Sequence, residues 1–122
     1  MSFTNVVFCD QYQNNILDVD NKDVQKLEQA IYVHGYRGAS KKKHNGVVPI
    51  KDSDTKLLKK YYHSINKYDE QMLEIFRKGT PVKVVAHVPN GNRLIGCMIN
   101  DGPNLTLHIL DIANYSGKLS KC

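Results

Sequence analysis

The sequence predicts a single α+β domain: an N-terminal hairpin, two helices, and a C-terminal antiparallel sheet packed on the longer helix, with closure into a small barrel as an option. Three observations carry this reading. Residues 79–112 alternate short β-branched and apolar runs with tight-turn sequences. Apolar residues recur at helical spacing through residues 53–78. The total of 122 residues is enough for one helix-on-sheet core and not for two.

The elements follow in order. Thr4-Asn5-Val6-Val7-Phe8-Cys9 has the composition of a strand, Asp10 to Asn15 reads as a polar turn, and Ile16-Leu17-Asp18-Val19 reads as the second arm of a hairpin. A helix starts at Asp20 or Asn21, which can cap free N–H groups. It carries Val24, Leu27 and Ile31 on one face and stops at Gly35. Residues 35–46 hold three Gly, four cations and almost nothing apolar, the composition of a surface loop. Val47-Val48-Pro49-Ile50 reads as an edge strand, because Pro49 cannot donate to a ladder.

The longest helix is expected from Ser53 or Asp54 to Lys78, with Leu58, Tyr61, Ile65, Tyr68, Met72 and Ile75 or Phe76 as its apolar stripe. Asn66 is the point at which it could divide in two. Gly79 and Pro81 end it. Three strands follow, joined by Pro89-Asn90-Gly91-Asn92 and Asp101-Gly102-Pro103-Asn104, with Gly96 permitting a bend in the middle strand. Residues 115–122 form a polar tail expected to fray.

Charge narrows the function classes. The formal net charge is +5, unevenly spread. Residues 1–30 hold two Lys against five acids, residues 31–80 eleven Lys/Arg against five, and residues 81–122 four against two. The middle of the chain is therefore the candidate anion-facing region. Cys9, Cys97 and Cys122 are odd in number and widely spaced, which suits reduced thiols and a cytoplasmic setting. No apolar run is long enough to span a membrane, and the first residues lack a signal-peptide pattern.

Tyr68 to about Leu107 resembles the opening of the bacterial Hfq proteins and, more loosely, of Sm-like domains. The matching residues are Leu73 and Arg77, then Pro81-Val82, Val84, Asn90-Gly91, Leu94, Gly96 and Ile99. The resemblance covers about a third of the chain, and its motifs also recur in unrelated folds. The Tyr-Lys-His run that lines the RNA pore of that family has no counterpart; the nearest residues are Asn114-Tyr115-Ser116-Gly117-Lys118. The first 50 residues also have no counterpart. What the resemblance implies is a ring-forming RNA-binding fold with its binding surface on the sheet.

Candidate site residues fall into four groups. The loop Tyr36, Arg37, Lys41, Lys42, Lys43 and His44 could clamp phosphates, with Tyr36 stacking on a base. Lys56, Lys60, His63 and Lys67 form a basic helical stripe that could follow a backbone, or simply be a solvated helix face. Tyr61 and Tyr62 read as core and core-edge residues. Asp18, Asp20 and Asp23 fail as a calcium loop, because Asp23 stands where Gly is needed and Gln29 where Glu is needed. They suit a helix N-terminus instead. His34, His44, His63, His87 and His108 are scattered without metal-ligand spacing.

Three functions are compatible with these residues. The leading expectation is a non-enzymatic nucleic-acid-binding protein, RNA ahead of DNA, using Tyr36, Arg37, Lys41, Lys42, Lys43, Lys56, Lys60 and Arg93. The second is a small metal-independent ribonuclease of the toxin type, which needs His63, His87 or His108 close to Arg93 or Lys83. The third is a phage-type inhibitor or sponge that binds a small anionic nucleotide or a protein partner. No cofactor and no metal site is expected. Short strand edges favour a homo-oligomer.

Overall fold

The computed structural model describes residues 2–38, 45–89 and 91–114. Its elements are β1 (Asn5–Phe8), α1 (Asp10–Asn15), a single 3₁₀ turn (Ile16–Asp18), α2 (Asn21–His34), β2 (Gly46–Pro49), α3 (Thr55–Ile65), α4 (Glu70–Arg77), β3 (Thr80–Val85), β4 (Asn92–Asp101) and β5 (Asn104–Asn114). The five strands form one mixed sheet in the order β1-β5-β4-β3-β2. β1 runs parallel to β5, and every other pair is antiparallel. The α+β class holds.

Helices cover both faces of the sheet. On one face, α1 and α2 close a core around Tyr12, Leu27, Ile31, Val82, Val84, Leu94, Leu107 and Ile109. On the other, α3 and α4 close a second core around Leu57, Tyr61, Ile65, Phe76, Ile95, Cys97 and Leu110. β4 and β5 lie between the two, which is why Leu94-Ile95-Gly96-Cys97 and Ile109-Leu110 are apolar on consecutive positions rather than alternate ones.

A bulge makes this two-sided burial work. Ile95 pairs with Asp111 and Gly96 with Ile109, so Leu110 is the extra residue. Ile109 enters the α2-side core while Leu110 enters the other. A side chain at Gly96 would collide with the carbonyl oxygen of His108. Below the bulge, Gly102 (φ 62°) and Pro103 close the β4–β5 hairpin. Gly at the first central position, with Pro at the second, is the pattern of a type II′ turn.

The helix boundaries have local causes. The Asp20 carboxylate accepts from the Lys22 N–H at 2.9 Å and opens α2. Gly35 ends α2 at φ 61°, ψ −156°, a conformation open essentially to glycine alone. α4 is opened by Asp69, which accepts from the Met72 N–H at 2.9 Å.

Several expectations are corrected. There is no N-terminal hairpin: Asp10–Asn15 is helical, Ile16–Asp18 is a 3₁₀ turn, and β1 pairs with the last strand. Residues 10–15 look like a solvent-facing turn because they are polar. Tyr12 is nevertheless fully buried, and Gln11 and Asn15 bond a buried carboxylate. The expected two helices are four, since the long one divides at Asn66, the C-cap of α3, and α1 is added. The sheet is open rather than a closed barrel, with β1 and β2 at its edges. It is covered on two faces, not one. Pro49 does lie on an edge strand, as its missing N–H requires.

Candidate nucleic-acid interface

α3 places its apolar residues Leu57, Tyr61 and Ile65 inward at i, i+4 and i+8. That spacing turns Lys56, Lys59, Tyr62 and His63 outward, with Lys60 at the boundary. The helix contains no acidic residue. Among the described residues none of its lysines takes part in an ion pair, whereas Arg77 pairs with Glu70 and Glu74, and Lys83 with Asp54. Tyr61 is 1% exposed and belongs to the core, as expected. Tyr62 is 52% exposed, meets Tyr61 edge-on at 5.3 Å, and stands on the flank of α3 that faces α4, beside Ile65 and Arg77. Lys67 falls in the turn after α3, off the stripe that a continuous helix would have made.

Arg93 lies on the same side of the sheet as α3. On β4 it is two positions from Ile95, whose side chain enters the α3-side core, and strand alternation sends both the same way. Its guanidinium donates to the Asn92 carbonyl at 2.8 Å.

The loop residues lie elsewhere. Tyr36 bridges Val47 and packs against the α2-side core, half-buried, which limits the ring surface left for stacking. Arg37 is exposed, with one guanidinium N–H reaching the Asn45 carbonyl at 3.4 Å. Lys41, Lys42, Lys43 and His44 lie outside the described residues. The sheet thus separates Tyr36 and Arg37, near the end of α2, from the α3 stripe.

The histidines that the ribonuclease expectation grouped are spread out. His63 is on the outer face of α3. His108 stands opposite Cys97, its ring edge-on to Phe76 at 5.3 Å, and burial lowers its pKa. His87 lies beyond the end of β3, six residues past Pro81, which is level with Cys97 and His108. Six strand residues span about 20 Å. Lys83 is tied to Asp54 at 3.6 Å, with both side chains largely buried.

The structure instead brings His87 to His34. A groove of about 370 Å³ between α2 and the segment after β3 is lined by Lys26, Gln29, His34, Asn45, Ala86 and His87, with Val33 at its rim. Lys26, Ala30 and His34 share one face of α2 at i, i+4 and i+8. Gly46 pairs with Val85, so Asn45 and Ala86 extend past the ladder side by side. Asn45 Oδ1 is buried and accepts no hydrogen bond among the described residues. In sequence, the i, i+4, i+8 spacing was the only trace of this grouping; His87 joins through tertiary contact alone.

Two further polar features escaped the sequence reading. Asp111 is fully buried and accepts from Gln11 Nε2 at 2.9 Å, Asn15 Nδ2 at 2.8 Å and the Ile112 N–H at 2.7 Å. Asp23 and Asn92, also buried, are joined at 3.2 Å, and Asn114 donates to Asn92 Oδ1 at 3.0 Å. Burial raises the pKa of Cys9 and pushes that of Cys97 up to about 11, so both behave as small hydrophobes.

Among the described residues no cluster of three or more His, Cys, Asp or Glu could hold a metal ion, and no helix is long and apolar enough to cross a membrane. No family model, curated protein or solved structure matches the chain.

Proposed function

We propose that this protein binds nucleic acid, RNA ahead of DNA, along the outward face of α3. The observation that carries the reading is the exposed face of α3, which presents Lys56, Lys59 and His63 on a helix without an acidic residue, with Tyr62 exposed on its flank. Lysines neutralise phosphates and release counterions, while a free aromatic ring stacks on unpaired bases. Any single strand offers both features together, and RNA, whose loops and ends present unpaired bases as a rule, is ranked first. Helices cover both faces of the sheet, so the binding surface is assigned to a helix rather than to the strands that the Sm-like resemblance would use.

Fluorescence anisotropy with a labelled single-stranded RNA tests this. Affinity should fall steeply as salt is raised. The double variant Lys56→Glu/Lys60→Glu should bind at least about tenfold more weakly, with a salt slope reduced by about one per lysine. No affinity at low salt, or binding unchanged in the variant, would remove the proposal.

A further inference from the structure

We infer that the groove between α2 and the segment after β3 is an RNA-cleaving site in which His34 and His87 serve as the acid–base pair, Arg37 beside His34 is the cation at the reacting phosphate, and Lys26 holds a neighbouring phosphate of the strand. This rests on RNA being the polymer bound, but it uses different residues on the other face of the sheet.

The chemistry needs few parts. Cleavage of RNA by its own 2′-hydroxyl requires a base, an acid and a cation near one phosphodiester. An unprotonated imidazole takes the 2′-hydroxyl proton, and the 2′-oxygen forms a bond to phosphorus. The bond from phosphorus to the 5′-oxygen breaks, and that oxygen leaves with a proton from the second, protonated imidazole. The products are a 2′,3′-cyclic phosphate and a free 5′-hydroxyl, with no other reactant consumed. Each turnover leaves the two imidazoles with exchanged protons, which solvent resets.

The groove holds these parts at one concave surface. His34 and His87 both line it and both are exposed at its wall. Lys26 lies two helical turns from His34 on the same face, about 12 Å along the axis, so a strand laid along α2 passes both. The stem of Arg37 packs against Gly46 beside His34, bringing a second cation to that end. A lone exposed histidine is most simply a surface residue. Two in one groove, with Lys26 along the same helix face and Arg37 beside His34, make an arrangement suited to phosphodiesters.

The test is incubation of the full chain, in EDTA, with a labelled single-stranded RNA of mixed sequence and with its fully 2′-O-methylated counterpart. The expected result is cleavage of the first only, with products ending in a 2′,3′-cyclic phosphate by mass spectrometry. His34→Ala and His87→Ala should each lower kcat by about 100-fold or more, while circular dichroism and affinity for the methylated RNA stay unchanged. Because both side chains are exposed, these variants should fold. Binding of the methylated RNA without cleavage of the unmodified strand would overturn this inference and leave the binding proposal standing. Absence of both binding and cleavage would remove both. Cleavage abolished by EDTA, or proceeding at the wild-type rate in either histidine variant, would also overturn it.

Discussion

Asn15 donates its side-chain amide to Asp111 Oδ1 at 2.8 Å, tying the first helix to the last strand across 96 positions. With Gln11 on the second oxygen, one turn of α1 holds a carboxylate that has no solvent exposure. The bulge beside Gly96 matters here. Ile109 and Asp111 would share a face in a regular strand, but the extra residue turns Asp111 to the side of Ile95 and Ser64. Asp111→Ala leaves two part-buried amide donors and the buried Ile112 N–H without their acceptor, and its expected cost is on the order of 3 kcal/mol. Urea unfolding reads this as a lower midpoint with an unchanged slope. A midpoint equal to wild type would show that α1 is not held by this carboxylate.

Gly96→Ala places a methyl group against the His108 carbonyl, where backbone rather than a pliant side chain must move. The expected loss is about 1–3 kcal/mol. Thermal unfolding checks it, and Gly91→Ala makes a useful contrast. At Gly91 a Cβ meets nothing nearby, so only the cost of its positive φ (70°) remains.

His108 links stability to acidity. Burial depresses its pKa below the ordinary 6.5. As pH falls through 6.5 the unfolded chain takes up a proton that the folded chain refuses, so folding weakens. The decline ends once pH is below the depressed folded value. His108→Leu should lose this component of the slope, read by urea titrations above and below pH 6.5. An unchanged slope in the variant would assign the acid dependence to another group.

Cys97, with its pKa pushed up to about 11 by burial, should resist alkylation at mildly alkaline pH in the native protein and react once urea unfolds it. Cys9, also raised by burial, should behave the same way. Peptide mass mapping distinguishes the sites. Rapid native labelling of Cys97 would mean that the α3/α4 layer opens readily.

Tyr62→Ala should weaken binding of single-stranded RNA by roughly 1–3 kcal/mol, the value of one stacked base, and Tyr62→Phe should restore it. Equal loss in both variants would assign the effect to the hydroxyl and argue against stacking.

Much of the architecture was readable along the chain because its signals are local. Asp20 and Gly35 bracket α2 through a cap and a conformation open to glycine. Asp101 to Asn104 encode their own turn, and Pro49 marks an edge. α1 was not readable, since polarity at Gln11 and Asn15 looks the same whether the partner is water or Asp111. Tyr61 and Tyr62 are adjacent and chemically identical. The helical spacing of Tyr61 and Ile65 already placed Tyr61 in the core; packing against Ile95 and Cys97 decided that Tyr62 is exposed rather than at the core edge.

By itself, then, the sequence determined the α+β class, the order of its principal elements and the excess of positive charge in its middle third. Those properties reside in neighbouring residues and in totals. Tertiary structure alone decided that β1 joins β5, that the sheet is covered on both faces, and that His34 and His87 line one groove while His63 and His108 lie apart. The physical reason is common to all three. Strand pairing and helix docking are chosen by how two large apolar surfaces can be buried at once, and no short window of residues contains both surfaces.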